Sequence, residues 1–152
     1  MLGKSIGFAN LLVVALMAGT VFGIWLGYDP ASLSPDTYIE QQQEAIRALN
    51  VKMPVLGAIA ILLTISSAVL ARADRRALYL LVAAVACLLV AGLVTRFGNQ
   101  PINAIVMTWN AHTPPADWMN LRDEWWKWHI VRTLAMIGGL SLILLANPMG
   151  RR

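Results

Sequence analysis

Three stretches of this chain, residues 5–28, 54–71 and 77–95, each run for at least 18 residues without a charged side chain. The hydrocarbon core of a bilayer is about 30 Å thick, and a helix needs about 20 mostly apolar residues to cross it. A fourth stretch is apolar from Thr133 to Ala146. It reaches spanning length when it begins upstream among Trp125, Trp126 and Trp128, whose amphipathic rings suit the headgroup belt. The sequence therefore predicts an all-α integral membrane four-helix bundle. Its spans fall near 5–28, 54–71, 77–95 and 126–146, within a single membrane domain over 1–152.

Composition points to lipid as the solvent. Hydrophobic residues make up 58% of the chain and charged residues only 13%, whereas soluble domains carry about a quarter charged. The formal charge of +4 is spread beside apolar segments rather than in aromatic-interleaved clusters, which argues against a nucleic-acid partner. Lys4 precedes span one, Arg72, Arg75 and Arg76 join spans two and three, and Arg151 and Arg152 follow span four. Four spans put these groups on one side, which the positive-inside rule makes cytoplasmic. The expectation is a multi-pass protein of the cell membrane, with both termini cytoplasmic and the lipid bilayer as its first partner. Lys4 also resembles the basic head of a signal peptide, but the apolar run that follows exceeds the usual ~7–15 residues, so the helix is read as retained. Cys87 is a lone cysteine inside an apolar run and excludes an intrachain disulfide. Nothing in the pattern sets an oligomeric state.

The outward connections, 29–53 and 96–125, carry short extra-membrane helices in this reading. In the first, Ser34 is placed to cap, Pro35 fits the first helical position and Asp36 complements the dipole. Tyr38, Ile39, Ala45, Ile46 and Leu49 form one apolar face, opposite Glu40, Gln43, Glu44 and Arg47, as in a helix lying on the membrane or covering the bundle.

Candidate chemistry gathers between Arg96 and Arg132, where both histidines and five of the six tryptophans fall. Pro114 and Pro115 precede a helix that leads into span four. On it, Trp118, Arg122, Trp125, His129, Arg132 and Met136 share one face by their three- and four-residue spacing. Arg132 at the membrane edge needs a reason to be there: it faces a wet cavity, snorkels outward, or pairs with Asp117, Asp123 or Glu124. His129 either serves as a base near neutral pH or is one more ring in an interfacial belt. Asn99 is placed to cap a short helix with Pro101 in its first turn, leaving Asn103 to point elsewhere. His112, His129, Asp117 and Glu124 are suitable metal-ligand types but lack a metal-binding spacing, so no metal site is expected. There is no phosphate loop, dinucleotide fingerprint, nucleophile elbow or haem-attachment sequence.

These pieces, in this order, resemble the anthrone oxygenase-like family of small four-helix membrane proteins. YIEQQQEAIRALNVKMP is similar to the family's surface segment, NQPIN and the following Trp109 to its N-x-P-x-N…W pattern, and PPADWMNLRDEWWKWHIVRT to its W-x-x-x-H-x-x-R motif. The resemblance implies oxygenation of a polycyclic phenol, an anthrone, to a quinone. Molecular oxygen is the co-substrate and no cofactor is used. It further implies His129 as base, Arg132 and Asn103 as oxyanion stabilisers, and Trp109 and Trp125 as pocket walls. Trp118, Arg122, Asn99 and Gln43 complete the expected substrate-binding set. The alternative is a non-catalytic binding or accessory protein whose polar stripe holds a lipid, a quinone or a partner subunit. Convergence of His129, Arg132 and Asn103 on an enclosed pocket separates the two.

Overall fold

The computed structural model describes residues 2–146, and Arg151 and Arg152 lie outside them. All regular structure among the described residues is helical: α1 (Leu2–Gly27), α2 (Pro35–Leu49), α3 (Lys52–Leu70), α4 (Arg75–Val94), α5 (Gln100–Val106) and α6 (Trp118–Ala146). Four helical stretches are long and apolar enough to cross a membrane: Gly3–Ser32, Lys52–Leu70, Arg75–Val106 and Trp118–Ala146. This is a multi-pass membrane protein. The four long helices pack in the ring α1–α3–α4–α6, which closes back on α1.

Two kinds of residue hold the ring together. Its interior is filled by Val14, Met17, Leu81, Leu88, Met136 and Ile143, with small alanines between them, while leucines such as Leu16, Leu62 and Leu145 face outward. Helices apolar on every face belong in lipid. With no hydrophobic drive between helices there, close packing and interhelical polar contacts decide the pairing. Asn10 and Thr64 supply one such contact: the Thr64 hydroxyl lies 2.8 Å from Asn10 Oδ1 and 2.7 Å from the Ala60 carbonyl, donating to one at a time. At the α3–α4 turn, Asp74 accepts from the Arg76 and Ala77 amides.

Helix α2 forms as its cap residues dictate. Thr37 N–H donates to Ser34 Oγ, Pro35 opens the helix and Asn50 closes it. The segment after α4 departs from expectation. The chain stays helical through a π turn at Thr95–Asn99 and runs directly into α5. Asn99 therefore caps nothing: its backbone is helical and it makes no capping bond. Pro101 explains the turn, because its ring clashes with the carbonyl four residues back in a regular α-helix, and one widened turn relieves this. The same turn brings Gly98 against α6, where a Cβ would sit 2.7 Å from Trp128 Cγ. The third helical stretch thus reaches Val106, beyond the expected end at residue 95.

Candidate functional site

The face expected on α6 is present. Trp118, Arg122, Trp125, His129 and Met136 are all buried, and Thr133 and Gly139 extend the line. Arg132 lies beside this line, half-buried, with its guanidinium turned back over its own helix. Its Nε and Nη2 lie 3.2 and 2.9 Å from His129 Nδ1, and its carbon centre lies 5.6 Å from the Trp125 ring centroid.

The hydrogen-bond chemistry fixes the state of His129. Nε2 lies 3.1 Å from the Val21 carbonyl of α1, which can only accept, so Nε2 carries the hydrogen. Nδ1 faces a guanidinium, which can only donate, so Nδ1 carries the lone pair. The imidazole is neutral and entirely buried. It is stacked with Trp125 and Trp126, each at 5.2 Å between centroids. Among the described residues no carboxylate pairs with Arg132. Asp123 is bound to Arg122 instead, at 2.8 Å.

Arg132 borders two adjoining cavities. The outer lobe, about 280 Å³, is roofed by Gln42, Ile46 and Leu49 of α2 and walled by Trp125, Asn103 and Tyr28. The inner lobe, about 290 Å³, lies deeper among α1, α3, α4 and α6. They meet at Val21, Met53, Pro54, Thr95 and Arg132, which line both. Each alone falls just short of the ~300–1,000 Å³ typical of small-molecule sites, and together they pass well into it.

A relay of amides shapes the outer lobe. Trp125 Nε1–H donates to Asn103 Oδ1 at 2.8 Å, and Asn103 Nδ2 donates to Asn50 Oδ1 at 3.0 Å. This links α6, α5 and the end of α2. Asn99, fully buried, donates to the Trp125 carbonyl at 3.0 Å and so sits behind the wall rather than in it.

The structure thus gathers Arg132, Trp125 and Asn103 at the cavity, with His129 directly behind Arg132. The remaining expected residues lie outside the lining. Gln43 donates to the Val106 and Trp109 carbonyls, at 2.9 and 3.0 Å, and ties α2 to the end of α5. Trp118 packs on Tyr38, with centroids 5.6 Å apart, and also carries the Arg122 guanidinium 5.0 Å from its ring centroid. Trp109 packs against both the apolar cluster of Ile46, Ile102, Val106 and Trp125 and that of Tyr38, Ile39 and Trp118. His112 is exposed, 4.0 Å from Asp36. Among the described residues no three His, Cys, Asp or Glu side chains come together. Gln42, Asn50, Thr95 and Tyr28 line the cavity without having been expected. For Gln42 a signal existed: it lies four residues from both Tyr38 and Ile46, on the apolar face of α2, whereas Gln43 lies on the polar face.

Fold and site together define a small four-helix membrane protein with a tryptophan-walled cavity and a cation at its waist. A family model described as Anthrone oxygenase matches residues 44–142, well over half of the chain, from the middle of α2 to the inner half of α6. The chain belongs to the anthrone oxygenase family. No curated protein and no solved structure matches it at a significant level.

Proposed function

We propose that this protein is an oxygenase of the cell membrane, its termini cytoplasmic, that converts a flat polycyclic phenol of the anthrone type to a quinone. Molecular oxygen is the co-substrate and no cofactor takes part. The observation that carries this reading is Arg132, a guanidinium with no carboxylate partner among the described residues, at the waist of an apolar cavity and aimed by a neutral imidazole. Family membership supports the same chemistry.

The substrate ring lies against Trp125 in the outer lobe with its oxygen toward Arg132. In the resting protein the His129 lone pair is held by Arg132. A substrate oxygen that draws the guanidinium onto itself frees that lone pair, so base and anion stabiliser become available together. His129 Nδ1 takes the acidic C–H proton, and Arg132 with the remaining Asn103 amide hydrogen stabilises the enolate oxygen. The electron-rich carbon adds O₂, and the proton returns to the terminal oxygen, giving a hydroperoxide. Loss of water across the C–H and O–O bonds leaves the second carbonyl. One O₂ is consumed, one oxygen atom stays in the quinone and the other leaves as water.

The burial of His129, with both nitrogens engaged, favours a second reading, a membrane protein that holds a quinone-like ring without turning it over. Oxygen uptake by protein in lipid nanodiscs supplied with an anthrone separates the two. The oxygenase reading expects uptake that falls about 10²–10⁴-fold in His129→Ala and comparably in Arg132→Ala. Wild-type protein that binds the ring yet consumes no oxygen supports the second reading.

A further inference from the structure

Resting on the ring site proposed above, we propose that the inner lobe receives a linear hydrocarbon tail carried by the substrate ring. The tail passes Arg132 and leaves the bundle between α3 and α4 into the bilayer. The substrate class is then a phenolic polycycle bearing an alkyl or prenyl chain.

The lining of the inner lobe fits a chain and little else. Its walls are Met17, Ile61, Leu88 and Met136, and polar side chains occur only at the waist, Arg132 and Thr95, and at a rim formed by Arg96 and Gln100. A space so lined offers water few of the two to four polar partners it needs. Its α3–α4 side is built from residues with almost no side chain: Gly57, Ala58 and Gly92. Pro54, Ala58 and Gly92 are exposed, and a Cβ placed on Gly92 meets nothing within 4 Å. The gap therefore opens through the side of the bundle, between two helices that face lipid. Along α3 the lining runs from Met53 to Ile61, about 12 Å at 1.5 Å per residue, room for about ten extended carbons.

The tail contributes position more than affinity. Lipid is as apolar as the lobe, so moving a chain from one to the other is nearly neutral. A ring at Arg132 with its chain still in the bilayer is, however, held at that depth.

The test compares a hydroxyanthraquinone with the same ring bearing a decyl chain. Binding is read by quenching of tryptophan fluorescence in phosphatidylcholine nanodiscs, for wild type, Gly92→Leu and Ala58→Phe. The ratio of variant to wild type for one ligand cancels its partition into lipid. Filling the lobe should weaken the decyl compound at least about fivefold, the effect of roughly 1 kcal/mol of overpacking, and change the tail-free ring less than about twofold. Gly92→Leu places its Cβ in open space, and unchanged thermal unfolding confirms that the fold is kept. Equal losses for both compounds, or no loss for either, overturn the tail site. No quenching by either ring overturns the ring site as well. Tail-selective binding without oxygen uptake upholds the tail site and sinks only the oxygenase reading.

Discussion

The assignment of a neutral His129 that accepts from Arg132 makes a quantitative prediction about the pair. His129→Phe keeps a ring against Trp125 and Trp126 but removes both nitrogens, and Arg132→Met keeps an unbranched stem without the guanidinium. The His129→Phe change also breaks the bond to the Val21 carbonyl, but that loss appears in the single and the double variant alike and cancels in a double-mutant cycle. What remains is one acceptor approached by two guanidinium nitrogens at 2.9 and 3.2 Å. Charge-assisted bonds in water-soluble proteins contribute about 1.5–3 kcal/mol, while side-chain bonds between membrane helices average about 0.6 and reach about 1.7. A charged donor that lines the cavity and is only partly exposed belongs near the top of the second range, so the coupling should be about 1–1.5 kcal/mol. Reversible unfolding by SDS in mixed lipid–detergent micelles, followed by far-UV circular dichroism, measures it. Additivity within about 0.3–0.5 kcal/mol, the usual result for independent sites, would refute the pairing and with it the protonation state inferred for His129.

Other consequences follow from single contacts. Asn103→Ala should cost about 2–3 kcal/mol and Trp125→Phe only about 1, because the first strands the indole N–H and the Asn50 amide oxygen while the second removes one donor; SDS unfolding of both variants gives the order, and equal losses would contradict the relay. Gly98→Ala pushes a Cβ against Trp128 Cγ and should cost about 1–3 kcal/mol of overpacking, recovered in Gly98→Ala/Trp128→Ala. Tyr38 is buried, its hydroxyl without a partner among the described residues, so Tyr38→Phe should be neutral or stabilising by about 1 kcal/mol. Burial, aided by Tyr28 and Asp123 against Arg122, raises the Tyr38 pKa above its ordinary 10.0. The neutral phenol's share of stability is then complete below about pH 10 and lost as pH climbs beyond it. Wild type should lose stability faster than Tyr38→Phe in that range, and parallel alkaline melting curves would contradict this.

Much of the architecture is legible in the chain because lipid imposes long-range simplicity on it. Charge-free runs of spanning length locate three of the four long helices, the tryptophans ahead of Thr133 extend the shorter fourth run, and Ser34, Pro35 and Asn50 mark the limits of α2. The buried line on α6 follows from helical spacing. Three features are not local. The π turn is chosen by Pro101 together with the approach of Gly98 to Trp128, a tertiary contact that a capping pattern at Asn99 does not reveal. The link between Arg132 and His129 is visible as an i, i+3 spacing, but the engagement of Nε2 by α1 is not, and that bond fixes which nitrogen is free to accept. The inner lobe is a matter of missing side chains at Gly57, Ala58 and Gly92, which spacing alone reads as ordinary packing. Gln43 carries the polar character of a site yet ties α2 to the segment around the end of α5, because the Val106 and Trp109 carbonyls lie within its reach, and Arg122 is held on its own helix by Asp123 and Trp118.

The most direct test of the central claim is the fate of labelled oxygen. Wild-type protein in nanodiscs, given an anthrone under ¹⁸O₂, should release a quinone that mass spectrometry finds carrying a single ¹⁸O atom, at a rate that collapses in Arg132→Ala. A quinone formed no faster than in empty nanodiscs, or equally fast with Arg132→Ala, would contradict the account.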